Sequence, residues 1–256
     1  MTTTAQLRGR HALVTGGSTG IGAAIARALA QHGVHLALVA RDETQLETTA
    51  ADIRRRYGVT VLIIALDLTQ HGAVPRLLDN LTRAGIDPEL LVNSAGASSR
   101  GLIAESDPAA LRRLVDLNAG ALTELTTALA ARMVARGHGS IVTIASTGAY
   151  APAPILAAYA ASKAYALSFT QALWAETKDK NIRVVAVSPG PTRTPMNTAH
   201  GRGMRQPEQV ASTVLAALDR SGPAVIDGRR NAALATIIRL LPTRLVTGLV
   251  LRTLAG

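Results

Sequence analysis

The 256-residue chain has no cysteine and only six aromatic residues, which are one Trp, one Phe and four Tyr. Disulfides, thiolate catalysis and cysteine-ligated zinc are therefore excluded, and with them a disulfide-rich secreted protein. Few rings are available to stack on bases, which disfavours single-stranded nucleic acid as a partner. Ala, Leu, Val and Ile must build the core. Because an absence of cysteine suits a reducing compartment, we expect a cytoplasmic location.

Acidic residues are scarce relative to basic ones, with 17 Asp and Glu against 27 Lys and Arg, for a formal net charge of +10. A nucleic acid, a lipid headgroup or a phosphate-bearing cofactor would suit that charge. Only three of the basic residues are Lys. An Arg bias of this size, together with abundant alanine, favours a GC-rich coding sequence over a binding surface as its origin. We expect no nucleic-acid partner.

Long uninterrupted apolar segments are also missing. The N-terminal MTTTAQLRGRHALVTGG has no apolar stretch of signal-peptide length. The most apolar late segment, 232–251, is interrupted by Arg239, Pro242 and Arg244, so it is a poor membrane span. These features are typical of a soluble protein.

Short β-branched runs alternate with longer segments of helical periodicity. Runs such as VLIIAL and RVVAV are apolar at successive positions, as in strands that are buried on both faces. The pattern predicts an α/β fold: a single Rossmann-type doubly wound domain with a mostly parallel seven-stranded sheet and helices on both faces. The predicted strands are 11–15, 34–40, 59–66, 90–93, 140–145, 182–187 and 224–226.

A glycine-rich loop joins the first predicted strand to a helical segment. Glycine lets a backbone turn tightly and approach a pyrophosphate, and the helix that follows presents free N–H groups and the positive end of its dipole. The loop therefore predicts a phosphate-binding site. Its expected cofactor contacts are Gly16, Ser18, Thr19, Gly20, Ile21 and Gly22.

This TGxxxGxG spacing resembles the short-chain dehydrogenase/reductase family, and other strings of that family follow in order. Tyr159-Ala-Ala-Ser-Lys163 matches its YxxxK string, and Ser146 stands thirteen residues upstream, after a predicted strand. Asn118, in a long predicted helix over 107–136, falls where the family has its fourth catalytic residue. The matches run from Thr15 to 194, about three quarters of the chain.

The resemblance implies further cofactor contacts after the other predicted strands. Asn93-Ser-Ala-Gly96 resembles the family's NNAG element with Ser94 in place of one Asn, and Pro189-Gly190 resembles its PG motif. The bottom-up argument agrees, because ligands of open α/β sheets bind at the carboxyl ends of the strands. The implied contacts are Asp67, Leu68, Asn93, Ala95, Gly96, Tyr159, Lys163, Pro189, Gly190, Thr192 and Thr194.

The end of the second predicted strand bears on the choice of nicotinamide cofactor. A ribose-binding acid there selects NAD, but that position is Ala40 and Arg41 follows it. A guanidinium can bind a 2′-phosphate through paired charge-assisted hydrogen bonds. We therefore expect NADP(H). A register shift that makes Asp42 the ribose acid is the competing assignment.

The resemblance also assigns roles in hydride transfer between the nicotinamide and a ketone or secondary alcohol. Tyr159 is the implied general acid in reduction and base in oxidation, and Ser146 donates to the substrate oxygen. We expect the charge of Lys163 to favour the phenolate of Tyr159, while Asn118 is implied to hold a water between Lys163 and solvent. No metal is expected.

Substrate specificity is assigned to the apolar loop after Ser146 and to the Arg- and Gly-rich segment that follows the PG motif. Tyr150 and Met196 are the candidate substrate contacts. Within one domain over 1–256, we place the nucleotide-binding and catalytic core at 5–194, a short substrate loop at 195–206 and an amphipathic helical segment at 228–256. The expected substrate is an apolar 3-oxoacyl, polyketide-like or steroid-like ketone.

Several alternatives stay open. The enzyme could instead oxidise a secondary alcohol, or the chain could be a catalytically idle NADP-binding regulator or scaffold. The 228–256 segment has three readings: it packs on the domain or a partner subunit, covers the substrate site, or lies on a membrane surface. We favour packing, and expect a homodimer or homotetramer.

Overall fold

The computed structural model describes residues 4–197 and 204–255. Seven strands form one sheet with the order β3-β2-β1-β4-β5-β6-β7, and every pairing within it is parallel. The predicted doubly wound α/β domain is therefore confirmed, with a wholly rather than mostly parallel sheet in the described part. The strands are β1 (His11–Thr15), β2 (His35–Ala40), β3 (Val61–Ala65), β4 (Leu90–Asn93), β5 (Gly139–Ile144), β6 (Ile182–Ser188) and β7 (Ala224–Ile226).

Helices connect successive strands and cover both faces of the sheet. They are α1 (Gly20–Gln31), α2 (Glu43–Tyr57), α3 (Ala73–Arg83), α4 (Pro108–Val115), α5 (Leu122–Arg136), α6 (Ala157–Thr177), α7 (Pro207–Leu218), α8 (Arg229–Leu240) and α9 (Thr243–Ala255). None of the helices in the described ranges is long and apolar enough to cross a membrane.

The sheet has a separate hydrophobic core on each face, because successive strand residues point to opposite sides. In β1, Val14 packs with α1, α2 and α7 on one face. Its neighbour Leu13 packs with α3 and α5 on the other. Both residues are fully buried. This two-sided burial explains why the strand sequences are continuously apolar.

The helix predicted over 107–136 is interrupted in the structure. Asp107 caps α4 as the sequence suggests, accepting hydrogen bonds from the backbone N–H groups of Ala109 and Ala110 at 2.9 and 3.2 Å. Between α4 and α5, Asp116–Ala121 forms a π-helical segment. Single π turns inside α-helices are frequent at functional sites. This one contains Asn118.

The order of the strands reverses direction between β1 and β4. Connections on one side of this point run over one face of the sheet, and those on the other side run over the opposite face, so a crevice opens at the carboxyl ends of these two strands. The loops after β1, β4 and β5 meet at this crevice, and they carry the candidate site.

Candidate active site

The glycine loop after β1 is closed by contacts that only glycine allows. A Cβ on Gly22 would lie 2.1 Å from the carbonyl oxygen of Gly16, and Gly16 and Gly20 have φ angles of +67° and +56°. The helix α1 begins at Gly20, and its N-cap residue Thr19 makes no side-chain capping bond. The first N–H groups of α1 therefore point into the crevice without a side-chain cap, as a phosphate site requires.

Two threonines support this loop, and neither is among the predicted contacts. The Oγ1 of Thr15 accepts hydrogen bonds from the backbone N–H groups of Ser94 and Ala95 at 3.1 and 3.0 Å, which ties the end of β1 to the loop after β4. The Oγ1 of Thr49, in α2, donates to the carbonyl of Ser18 at 2.8 Å. Thr15 belongs to the recognisable motif, but nothing in the sequence singles out Thr49.

Asn118 joins the loop after β4 to α6. Its Oδ1 accepts from the N–H of Ala97 at 2.8 Å, and its Nδ2 donates to the carbonyl of Ala97 at 2.9 Å and to the Oγ of Ser162 at 2.9 Å. The Ser162 hydroxyl donates in turn to the carbonyl of Tyr159 at 2.7 Å. The amide of Asn118, which is 1% exposed, thus positions both the loop and the helix that carries Tyr159. Ser162 was not predicted.

The four predicted catalytic side chains lie in two pairs, and each pair is next to one glycine. A Cβ on Gly96 would lie 3.3 Å from Oδ1 of Asn118 and 3.4 Å from Nζ of Lys163. A Cβ on Gly148 would lie 3.5 Å from Oγ of Ser146 and 3.8 Å from Cε1 of Tyr159.

Ser146 lies just beyond β5, and its Oγ accepts from the N–H of Gly148 at 3.1 Å. The buried ammonium of Lys163 donates to the carbonyl of Ile144, the last residue of β5, at 2.9 Å. These bonds fix the serine and the lysine against the same strand end.

Burial is the main cause of the pKa shifts of Tyr159 and Lys163. Burial raises the pKa of Tyr159, and a hydrogen bond with Ser146 offsets this only in part. Burial lowers the pKa of Lys163 to about 8. The Lys163 ammonium donates to the Ile144 carbonyl, and the expectation that its charge favours the Tyr159 phenolate stays a prediction.

Arg41 and Asp67 are close enough at the ends of β2 and β3 to interact electrostatically. Burial alone raises the pKa of Asp67, but hydrogen bonds from the backbone and side chain of Thr69, with the charge of Arg41, leave it below its ordinary value. Leu68 packs in the core, so its side chain is not available to a ligand. Asp42 is the N-cap of α2 and accepts from the N–H of Gln45 at 2.9 Å.

The segment after β6 reaches back to the glycine loop. The carbonyl of Pro189 accepts from the N–H of Thr147 at 2.9 Å, next to Ser146. A Cβ on Gly20 would lie 3.2 Å from Cγ2 of Thr194. The hydroxyl of Thr192 donates to the carbonyl of Gly190 at 2.9 Å. The predicted residues Gly190, Thr192 and Thr194 thus follow a turn that closes over the start of α1.

The candidate substrate contacts lie at different depths. The Tyr150 hydroxyl is 3.2 Å from Oγ of Ser188, and its ring packs against a small apolar cluster. Met196 is 54% exposed. Of the predicted substrate loop over 195–206, residues 198–203 lie outside the described part of the chain.

The end of that loop is fixed by an ion pair that the sequence analysis missed. The guanidinium of Arg205 donates two hydrogen bonds, at 2.8 and 2.7 Å, to the carboxylate of Asp227, which has no exposed surface. Thr213 also donates to that carboxylate, at 2.6 Å. The sequence signal that could have revealed this ion pair is the position of Asp227, directly after the last predicted strand.

Comparison with known proteins shows the family of the chain. The family described as short chain dehydrogenase matches residues 10–205. A very-long-chain 3-oxoacyl-CoA reductase of the fungus Phaeosphaeria nodorum is 32% identical over 228 residues, which are 85% of this chain and 65% of that protein. The chain thus spans about two thirds of that relative's length.

Two solved structures are similar as well. A short-chain dehydrogenase from Sphingobium yanoikuyae in complex with NADPH has a TM-score of 0.81 and 30% identity, covering 91% of this chain and 96% of its own. A bulky-bulky ketone specific alcohol dehydrogenase from Comamonas testosteroni has a TM-score of 0.78 and 32% identity, covering 91% and 95%.

The chain therefore belongs to the short-chain dehydrogenase/reductase family. It is an oxidoreductase of the kind that acts on alcohol or carbonyl groups.

Proposed function

We propose that the protein is an NADP(H)-dependent reductase of apolar ketones. The observation that carries the proposal is the convergence of Ser146, Tyr159, Lys163 and Asn118 around Gly96 and Gly148, beside the glycine loop. The tight glycine loop, with positive φ at Gly16 and Gly20, and the N-terminus of α1, which lacks a side-chain cap, fit a pyrophosphate bound there. When bound there, the nicotinamide cofactor supplies the hydride.

The chain's own groups then handle the proton and the substrate oxygen. Tyr159 lies beside Ser146, so both hydroxyls can donate to the same carbonyl oxygen as negative charge builds on it. A protonated Tyr159 can act as the general acid in reduction, and burial, which raises its pKa, favours this protonated form.

Lys163 and Asn118 support the proton transfer from Tyr159. Lys163 is held by the carbonyl of Ile144 close to the amide of Asn118. Its cationic form stabilises negative charge on the phenol oxygen, and so assists release of the Tyr159 proton to the substrate oxygen. Asn118 donates to Ser162, which in turn donates to the carbonyl of Tyr159. These two bonds fix the position of Tyr159 at the crevice. A water between Lys163 and solvent stays a prediction from the family.

The preference for NADP(H) rests on the ends of β2 and β3. Arg41 is exposed and makes no ion pair within the described ranges, while Asp42 is already engaged in capping α2. The cap occupies the Oδ1 atom of Asp42 and holds that carboxylate at the start of α2. Arg41 can instead offer its planar guanidinium to a 2′-phosphate.

The apolar character of the substrate rests on the rim of the site. Leu102 and Ile103 are 51% and 58% exposed, and the N–H of the adjoining Gly101 donates to the carbonyl of Ile155 at 2.9 Å. This bond joins their loop to the apolar segment between Ser146 and Tyr159. Exposed apolar side chains at a site's edge favour an apolar substrate, such as a 3-oxoacyl, polyketide-like or steroid-like ketone. A cytoplasmic homodimer or homotetramer completes the proposal, on family precedent.

The experiment that tests the proposal is oxidation of NADPH, followed by absorbance, against a panel of ketones that increase in apolar size, with NADH in parallel. We expect turnover that prefers NADPH and improves with apolar size up to a limit. Tight binding of NADPH with no turnover of any ketone would instead support the idle NADP-binding alternative.

The cofactor preference is tested separately with Arg41→Ala. Loss of a charge-assisted hydrogen bond to a phosphate costs about 1.5–3 kcal/mol, so KM for NADPH should rise roughly ten- to a hundredfold, while KM for NADH changes little. The matched control is Arg83→Ala, an exposed arginine at the end of α3. Equal effects of Arg41→Ala on the two cofactors would place the phosphate elsewhere.

A further inference from the structure

The helix α8 turns an apolar stripe to solvent. Leu234, Ile237 and Leu240 follow one another at intervals of three residues, so they share one face of the helix, and they are 56%, 55% and 81% exposed. The opposite face contains Ala235, which is 3% exposed and rests on the domain. The stripe is therefore exposed on a helix whose other face packs on the domain.

The stripe continues past the break between α8 and α9. Leu241 and Leu245, on either side of Pro242, are 41% and 62% exposed. Val246, 3% exposed, fixes the start of α9 to the protein. We call the exposed side of these two helices, comprising Leu234, Ile237, Leu240, Leu241 and Leu245, the α8–α9 face.

Every charged side chain in this part of the sequence is basic. No Asp or Glu follows Asp227, whereas five arginines do: Arg229, Arg230, Arg239, Arg244 and Arg252. All five are exposed, and within the described ranges none takes part in an ion pair. Asp227 itself is buried and already paired with Arg205, so it does not offset their charge.

One of these arginines also orients the helix. The guanidinium carbon of Arg239 lies 5.7 Å from the centre of the Tyr150 ring, a cation–π distance. Since Tyr150 belongs to the short turn that follows Ser146, α8 is seated beside the active-site loop. The α8–α9 face is thus held in a fixed orientation relative to the domain.

We propose that the α8–α9 face docks on an anionic lipid surface, with its leucines and Ile237 in the interfacial layer and the neighbouring Arg229, Arg230, Arg244 and Arg252 at the phosphate headgroups. An exposed apolar stripe with a purely basic charge complement matches an anionic bilayer in both respects. A second copy of the chain fits less well, because an isologous contact would bring the same basic arginines together with no carboxylate from this segment between them. The 12 and 13 residues of α8 and α9 are too few to span a bilayer, so the contact is peripheral.

The test is sedimentation of the full-length protein with vesicles of phosphatidylcholine alone and of phosphatidylcholine with phosphatidylglycerol in equal parts. We expect binding to the anionic vesicles and little to the neutral ones. Arg230→Gln with Arg252→Gln should weaken that binding roughly thirtyfold at low salt. Ile237→Gln with Leu240→Gln should weaken it at least tenfold.

Matched control variants separate this face from the net charge of +10. Arg83→Gln with Arg132→Gln removes the same charge from exposed positions on α3 and α5. Val115→Gln with Val134→Gln removes exposed apolar side chains elsewhere. We expect both controls to bind as the wild type does. Equal losses in the control and test pairs would overturn the proposal in favour of diffuse charge attraction.

Two further readouts keep the test decisive even where a variant is poorly folded. Hydrogen exchange of the wild type with anionic vesicles should show new protection concentrated in 229–252, and protection spread evenly over the chain would contradict the proposal. An α8–α9 variant that converts an oligomer to monomers, with no vesicle binding by the wild type, would identify the face as an interface between copies instead. Neither readout depends on the proposed catalytic activity.

Discussion

At the scale of single residues, the least ordinary group is the ammonium of Lys163, which is buried beside Gly96 with the Ile144 carbonyl as its acceptor. A charge in this position is costly, because one neutral carbonyl replaces only part of its hydration. Burial accordingly lowers its pKa to about 8. A cost of this kind at a crevice is typical of a group retained for function rather than for stability.

This burial predicts a specific pH dependence of stability. Between about pH 8 and pH 10.5 an unfolded Lys163 keeps its proton while the folded one loses it. The unfolded state then binds more protons, so the free energy of unfolding rises with pH across this window, by at most about 1.4 kcal/mol per pH unit. Below pH 8 both states are protonated and the full burial cost remains.

Urea unfolding of wild type and Lys163→Met over this range measures the effect. The wild type should gain stability relative to the variant as the pH rises, and Lys178→Met, at an exposed position, should follow the wild type. Parallel pH profiles for the wild type and Lys163→Met would mean that Lys163 is not desolvated.

The identities of the catalytic candidates were open to prediction, but their environments were not. Ser146, Tyr159 and Lys163 are recognisable through the resemblance to the family's strings, and a helix brings Tyr159 and Lys163, four residues apart, to one face. The direction of the Tyr159 pKa shift depends on how much of the ring the rest of the fold covers. That burial is a property of distant contacts, and a local motif carries no information about it.

At the scale of elements, the ion pair between Arg205 and Asp227 fixes the end of the substrate loop. Asp227 follows β7, and the backbone of Arg205 pairs with the segment after β6: its N–H donates to the carbonyl of Pro191 at 2.8 Å, and its carbonyl accepts from Arg193 at 2.9 Å. The pair thus ties the loop's return to the last strand of the sheet. We expect the position of the loop over the crevice to depend on it.

Asp227→Asn tests this connection. The substitution keeps the size of the side chain but removes the charge that the hydrogen bonds of Arg205 and Thr213 reach, which typically costs about 1.5–3 kcal/mol. The matched control is Asp116→Asn, which breaks the exposed pair with Arg112 and should cost less than about 1 kcal/mol. Chemical denaturation measures both. Similar small losses in the two variants would show that the pair does not anchor the loop.

Element positions were largely predictable, with two instructive exceptions. The strand bounds agree within two residues because continuous apolar runs mark strands buried on both faces. The π-helical segment at Asp116–Ala121 was hidden, because Asn118 and Gly120 weaken a helix without specifying how it deforms. Arg183, fully buried in β6, was hidden too: it donates to the carbonyls of Ala217 at the end of α7 and of Gly222 beyond it, partners that are distant in sequence.

At the scale of the whole molecule, the fold places the candidate site at one edge of the sheet and an apolar, basic surface on the C-terminal helices beside it. The strand ends at the reversal between β1 and β4 bring the glycine loop, the Asn118 segment and the Ser146 turn together, as open parallel sheets do. The C-terminal helices α8 and α9 lie beyond the last strand and carry basic and apolar side chains outward. Strand–helix alternation predicts the first region well. Whether an apolar helix face packs or stays exposed depends on the tertiary contacts around it.

The central claim is that Tyr159 gives its proton to a substrate carbonyl in an otherwise complete site. Its most direct test is the rate of NADPH oxidation with the best ketone of the panel, for the wild type, Tyr159→Phe and the control Tyr165→Phe. Tyr165 lies on the same helix, is 42% exposed and has its hydroxyl 2.7 Å from that of Thr123.

Loss of a general acid costs roughly a hundred- to ten-thousandfold in kcat. We therefore expect a loss of that size for Tyr159→Phe with little change in NADPH affinity, and wild-type turnover for Tyr165→Phe. Turnover by Tyr159→Phe at the wild-type rate would contradict the account.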